Sequence, residues 1–142
     1  MDEKDVLLAK VVMDIHRKRS HTTFENVNLF QLYPIHPIDR EGSLASMEKR
    51  SQVLMDFRNE LLAQRILTGE ILKKFIPSVS AIKAVRTGDD SYVTFEGNGR
   101  LASLQKVFTP QDYMEVEIEL YHFSNVKKMI RRVERVRSLH NL

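Results

Sequence analysis

A short glycine-containing segment with one arginine is the part of this sequence best suited to chemistry. Residues 92–104 read Tyr-Val-Thr-Phe-Glu-Gly-Asn-Gly-Arg-Leu-Ala-Ser-Leu, which predicts a strand, a tight turn and the start of a helix. Glycine lets a backbone approach a ligand closely, and a helix start presents unpaired N–H groups to anions. The guanidinium of Arg100 adds a planar cation that matches a phosphate. The segment therefore predicts a phosphate or nucleotide site at Gly97, Asn98, Gly99 and Arg100.

Each of these residues also has a purely structural interpretation that needs no ligand. The two glycines suit a tight turn without a ligand, and Arg100 suits an ion pair with a nearby carboxylate. Glu96 suits a solvated strand end, where its charge would repel a phosphate unless a metal ion or a proton lies between them.

The composition limits the classes of chemistry. The chain has 142 residues, no cysteine and a formal net charge of +3, so thiolate catalysis, disulfides and cysteine-bound metals are excluded. No run of 18 apolar residues occurs, and the acidic start of the chain is unlike a signal peptide. We expect one domain over residues 1–142, a cytoplasmic location and no membrane partner.

The elements that must position the site follow from periodicity. Helices are predicted over residues 5–19, over 44–64 with Ser43 as the N-cap, and over 69–75 with Thr68 as the N-cap. A strand is predicted over 26–33, after a loop that contains His21, Thr22 and Thr23. Residues 79–86 and 91–95 are predicted to form a hairpin, and a helix over 100–108 follows the glycine turn.

The C-terminal third supplies the clearest pattern. Glutamates at 115, 117 and 119 alternate with apolar residues, which predicts a strand over 115–123 with one wet face. A helix capped by Ser124 is predicted to follow, reaching about residue 139 with Val126 among its inward residues. The predicted fold class is α+β, a small mixed β-sheet with flanking helices.

With these elements placed, the chain resembles the ParB-like/sulfiredoxin-like superfamily. Its run from Glu96 to Ala102 is similar to the acid-Gly-x-x-Arg-x-x-Ala motif of that group, and the resemblance covers about residues 26–123. The N-terminal helix and the basic C-terminal helix are then additions to the core. The resemblance implies that residues 97–100 bind the phosphates of a nucleotide, which would arrive as its Mg²⁺ complex. If the chain is catalytic, the resemblance implies phosphoryl transfer or nucleotide hydrolysis. Glu96 matches the acid of kinase-like members, where it would activate a hydroxyl or hold Mg²⁺, and is the candidate catalytic residue.

Some residues differ from the motifs of that superfamily, and these differences limit which of its activities we expect in this chain. Sulfiredoxins carry Cys-His where this chain has Asn98-Gly99, so their thiol chemistry is excluded. The second nucleotide motif of the CTP-hydrolysing members is represented at most by Asn125 and Lys128, which are candidate accessory residues. The segment 96–100 also resembles the centre of the Fic motif, but Tyr92 and Ser103 stand where that motif needs His and Arg.

The last predicted helix suggests a rival function of a different class, a non-catalytic module that binds nucleic acid or an acidic protein. From residue 124 onward the chain has six cationic side chains against one carboxylate. An ordinary solvated helix face explains the same pattern. The five histidines show no metal-ligand spacing, and no metal site is predicted. The candidate nucleic-acid contacts are Lys127, Lys128, Arg131, Arg132 and Arg135.

Overall fold

The computed structural model describes residues 2–78 and 80–142. Within these residues the fold has a six-stranded mixed sheet and six helices, in agreement with the predicted α+β class. In chain order the elements are α1 (Glu3–Lys18), β1 (Arg19–Asn28), β2 (Leu32–Pro34), α2 (Glu41–Asp56), α3 (Arg58–Gln64), β3 (Ile66–Leu67), α4 (Gly69–Phe75), β4 (Lys83–Gly88), β5 (Ser91–Glu96), α5 (Asn98–Val107), β6 (Glu115–Phe123) and α6 (Val126–Leu139), with short 3₁₀ turns at Leu29–Gln31 and Pro110–Asp112.

The strand β6 organises the sheet, whose order is β1-β6-β4-β5-β2 with β3 beside β6. It pairs antiparallel with β1 and parallel with β4, while β4 and β5 form an antiparallel hairpin. The short strand β2 pairs parallel with β5. Lys83 at the start of β4 pairs with Glu96 at the end of β5 and with Glu119 in β6. These three residues therefore lie side by side, at the open end of the β4–β5 hairpin.

Apolar side chains fill both faces of the sheet. On one face α1 and α6 bury Val11, Ile15, Met129, Val133 and Val136 against Val85, Val93, Phe95 and Tyr121. On the other face leucines of α2, α3, α4 and α5 pack on Val116, Ile118 and Leu120 of β6. The alternation of β6 therefore places its apolar residues as predicted. Within residues 2–78 and 80–142, no helix combines the length and apolar character needed to cross a membrane.

The predicted loop and strand near residues 21–33 were wrong in their boundaries. His21, Thr22 and Thr23 lie in β1, where they pair with His122, Tyr121 and Leu120. The hydrogen-bonding edge of β6 holds this polar segment extended, although its own sequence lacks apolar alternation. A 3₁₀ turn then interrupts the predicted strand 26–33, and the Asn28 side chain accepts a hydrogen bond from the Phe30 N–H across 2.8 Å.

The predicted helix 44–64 is two helices. It begins at Glu41, so Ser43 lies inside the first turn and is not the N-cap. The chain leaves helical geometry at Phe57, whose φ is −112° and ψ 15°, and α3 starts at the next residue. Thr68 caps α4 as predicted, accepting from the Ile71 N–H across 3.3 Å.

The remaining boundaries differ less. The hairpin begins at Lys83 rather than 79, and Val79 lies outside the described residues. The helix α5 begins at Asn98, two residues before the predicted start. Asn125, not Ser124, caps α6, because its side chain accepts from the Lys128 N–H, and Val126 is 43% exposed instead of inward.

Candidate anion-binding cleft

The junction of β5 and α5 has the predicted strand–turn–helix form. Gly97 adopts a left-handed conformation with φ of 95°, which favours glycine, and α5 starts at the next residue. The Leu101 N–H donates to the Gly97 carbonyl across 2.9 Å, which begins the helical ladder. No side chain of the described residues caps this helix start. The first N–H groups of a helix have no intrahelical partner, and because no side chain caps those of α5, they suit an anion.

The Asn98 side chain serves the fold. It is buried, and its Oδ1 accepts from the Ile35 N–H across 3.3 Å, which ties the end of β2 to the start of α5. If Asn98 contacts a phosphate as predicted, it therefore does so through its backbone N–H.

Arg100 is buried beside the turn, with 7% of its surface exposed. Its guanidinium donates to the Ser80 carbonyl across 2.8 Å and to the Ala81 carbonyl across 3.4 Å. Burial lowers the pKa of Arg100, the nearby charge of Arg50 lowers it further, and Glu96 opposes both. Among the described residues no carboxylate lies within ion-pair distance of Arg100, so the predicted alternative of a salt bridge is wrong.

A second arginine, Arg50 of α2, lies against the turn. A methyl group built on Gly99 would be 3.0 Å from its Nη1, so the absence of a side chain at residue 99 leaves room for this guanidinium. The arginine is half-buried and, like Arg100, has no ion pair within the described part of the chain. Two guanidinium groups, neither of them in an ion pair within the described residues, thus lie beside the same helix start.

The arginines open onto a cleft of about 740 Å³ between the N-terminal half of α2 and the β5–α5 turn. This volume is typical of small-molecule sites. Its lining includes three arginines and four serines, and one carboxylate, that of Glu96. The lining residues are His36, Ile38, Arg40, Gly42, Ser43, Ser46, Arg50, Ser78, Ser80, Phe95, Glu96, Gly97, Asn98, Gly99 and Arg100.

Sequence reasoning missed the contribution of α2. Ser43, Ser46 and Arg50 recur at three and four residues, which places them on one face of a helix. That spacing was available in the sequence. Which partner this polar face meets depends on tertiary packing between segments about 50 residues apart.

Glu96 is paired at the rim of the cleft. Its carboxylate lies 3.4 Å from the Lys83 ammonium, which is also 3.8 Å from Glu119. Burial acts to lower the pKa of Lys83, but contacts with Tyr121 and Glu96 outweigh it and the pKa is raised, so the lysine stays charged. This pairing reduces the repulsion that Glu96 would exert on a phosphate.

His36 joins the cleft to a neighbouring cavity of about 220 Å³. The two spaces share His36, Ile38, Arg40 and Ser43 as lining residues. The His36 Nδ1 lies 2.9 Å from the Pro37 carbonyl, so a neutral ring donates through Nδ1 and keeps Nε2 as a hydrogen-bond acceptor.

The candidate accessory residues lie elsewhere. Asn125 and Lys128 follow the C-terminal end of β6, whereas Gly97 lies beyond Lys83 and Glu119 at the other end of the hairpin. They line a separate cavity of about 230 Å³ with Lys18 and Arg132. Their predicted role beside the phosphates is therefore wrong, because the parallel pairing of β4 with β6 places them and Gly97 at opposite ends of these strands.

The residues described contain no group of three or more His, Asp or Glu side chains placed to hold a metal ion. Glu96 could still contribute one oxygen to a Mg²⁺ ion that arrives with phosphates, the usual mode for that ion. No protein-family model, no curated protein and no solved structure matches this chain.

Proposed function

We propose that this chain binds a nucleotide or a related phosphate ester, with its phosphates at the Gly97–Arg100 turn. One observation carries the proposal: Arg50 and Arg100 lie against the same turn, and neither has an ion-pair partner among the described residues. Two adjacent cations in a partly buried site destabilise one another. An anion between them would remove that repulsion and would meet the free N–H groups of α5.

The size of the site supports a nucleotide over inorganic phosphate. A cleft of about 740 Å³ exceeds what a single phosphate needs, and the neighbouring cavity extends it past His36. The acceptor nitrogen of His36 suits an N–H group on the uncharged part of such a ligand.

We place the fold within the ParB-like/sulfiredoxin-like superfamily as part of the same proposal. The support is the order of elements, in which a strand, helices, a hairpin, the Gly-x-x-Arg turn, a helix and a closing strand follow one another. Thiol reduction is excluded because the chain has no cysteine.

Binding is better supported than catalysis. Glu96 is the sole carboxylate among the lining residues, and it is held by Lys83. Phosphoryl transfer or nucleotide hydrolysis at Glu96 would require the carboxylate to leave Lys83 for Mg²⁺ or for a hydroxyl nucleophile.

The test is thermal unfolding in the presence of candidate ligands, because a ligand that binds only the folded state raises Tm. Orthophosphate, pyrophosphate, ADP, ATP, CTP and GTP are each titrated with and without Mg²⁺. We expect a nucleotide to raise Tm more than orthophosphate, and Arg100→Ala to weaken binding by roughly 1.5–3 kcal/mol, the range for a hydrogen bond to a charged group. Absence of a shift with every phosphate compound would refute the proposal.

Arg100→Ala also removes two hydrogen bonds to the Ser80 and Ala81 carbonyls, so the variant will be less stable without ligand. The comparison therefore uses the ligand-dependent increase in Tm of each protein, not its absolute Tm. Arg100→Lys serves as the intermediate variant, since it keeps the charge and loses the fork geometry.

A further inference from the structure

The exposed cations of α6 form a second positively charged surface, apart from the cleft. Lys127, Lys128, Arg131 and Arg135 are exposed, and none of them has an ion-pair partner among residues 2–78 and 80–142. We call these four residues the α6 basic face. The other two arginines of the helix are used internally, because Arg132 pairs with Asp14 and Arg137 with Glu134.

The α6 basic face is electrostatically unfavourable in the protein alone. Lys127 and Arg131 are four residues apart, as are Arg131 and Arg135, so each pair places like charges on neighbouring turns. Lys127 and Lys128 also lie in the first turn of the helix, where no acidic residue is present and the helix dipole disfavours cations. A polyanion would relieve both effects.

The face continues onto the neighbouring helix. Lys18, at the end of α1, lines the same cavity as Lys128 and Arg132. Along α6 the cations recur every four residues, or about 6 Å of helix axis. Such a row matches a polymer of regularly spaced charges better than a single small anion.

We propose that the α6 basic face binds the phosphate backbone of double-stranded nucleic acid without reading its sequence. No aromatic residue lies between these cations, so stacking of single-stranded bases is disfavoured. The apolar residues Met129, Val133 and Val136 are buried in the core, so α6 has no apolar face to insert into a membrane. The face also lacks the exposed aromatic anchors that dominate protein–protein interfaces.

The test is fluorescence anisotropy of the full chain with a labelled duplex of about 20 base pairs at several salt concentrations. Four phosphate contacts predict a slope of about −3 to −4 in log K against log salt. The double variant Arg131→Glu/Arg135→Glu should lose at least about tenfold in affinity and about 2 of that slope.

The control is Lys73→Glu/Lys74→Glu, which makes the same charge change. Both lysines are exposed and belong to α4, a helix that packs on the opposite face of the sheet from α6. It should keep most of the affinity for the duplex. Circular dichroism melting of each variant confirms that it is folded.

Three results would overturn the proposal. One is no binding of the wild-type protein to duplex at about 50 mM salt, where backbone contacts are strong. Another is an equal loss of affinity in the α4 control. The third is tighter binding to phosphatidylserine vesicles, or to a single strand of the same length, than to the duplex.

Discussion

The guanidinium of Arg50 occupies the space that a side chain at Gly99 would need, since a methyl group there would lie 3.0 Å from Nη1. This contact joins α2 to the start of α5 across 49 positions of sequence. It also separates the roles of the two glycines in the turn. The backbone angle of residue 97 favours glycine, whereas the missing side chain at Gly99 leaves room for the Arg50 guanidinium.

Gly97→Ala and Gly99→Ala should therefore fail in different ways. At residue 97 alanine must adopt φ of 95° and meets the Ile82 backbone at 3.3 Å, so the free energy of unfolding should fall by about 1–3 kcal/mol. At residue 99 the flexible end of Arg50 can move, so stability should change by less than about 1 kcal/mol while pyrophosphate affinity falls about three- to tenfold. Urea unfolding and calorimetric titration measure the two quantities. Equal destabilisation by both variants would contradict the assignment.

Glu96→Gln should strengthen metal-free anion binding. The variant removes the negative charge at the rim of the cleft and leaves Lys83 partly uncompensated, so pyrophosphate affinity should rise by about two- to fivefold, as for an exposed ion pair. The measurement is repeated with Mg²⁺, and Glu119→Gln is the control because Glu119 contacts the same lysine but does not line the cleft. Weaker binding of the Mg²⁺ complex alone would instead identify Glu96 as a metal ligand.

Asp112 should control part of the acid stability. The Thr109 N–H donates to its carboxylate across 2.8 Å and Arg58 across 2.7 Å, and these contacts hold the pKa of Asp112 below its ordinary value. The unfolded chain then binds the proton more readily, so this contribution is complete above the unfolded pKa and is lost as pH falls through the folded value. Asp112→Asn should lower Tm near pH 7, and its difference from wild type should shrink toward about pH 3. A constant difference across this range would exclude the mechanism.

Thr94→Val should stabilise the protein. The Thr94 hydroxyl is fully buried, and its Oγ1 has no hydrogen-bond partner in the described part of the chain. Replacing this hydroxyl by a methyl group of similar shape removes the cost of an unsatisfied polar atom, about 1–3 kcal/mol at most. Chemical denaturation should show a higher midpoint with an unchanged m-value. A lower midpoint would mean that the hydroxyl has a partner in solution.

The predictable parts of the fold are those with strong local signals. Alternation of glutamate with apolar residues over 115–120 identified β6, whose predicted limits Glu115 and Phe123 are confirmed, and the Thr68 cap located the start of α4. The β1 segment Arg19–Asn28 could not be recognised in the same way, because its polar residues become a strand only by pairing with β6.

The candidate site likewise has one part that local sequence predicts and another that depends on tertiary packing. The turn geometry at Gly97 was predictable because a strand, a glycine and a helix start are contiguous in sequence. Arg50 was not, because its place beside Gly99 depends on how α2 packs against α5. The misplacement of Asn125 and Lys128 has the same origin, since the parallel pairing of β4 with β6 decides which sheet end they occupy.

The central claim, that Arg50 and Arg100 together bind an anion at the Gly97–Arg100 turn, is tested most directly by Arg50→Gln. Without ligand the variant should be as stable as wild type or more stable, because the repulsion between the two guanidinium groups is gone. Its affinity for pyrophosphate should fall about 10- to 100-fold, as expected for the loss of a charged hydrogen bond.

The matched control is Lys49→Gln, an exposed neighbour on α2 with the same loss of charge, which should leave both quantities unchanged. Calorimetric titration with pyrophosphate, with Tm measured in its absence, gives the decisive comparison. Lower stability of Arg50→Gln together with unaltered pyrophosphate affinity would show that Arg50 supports the fold and that the cleft is not an anion site.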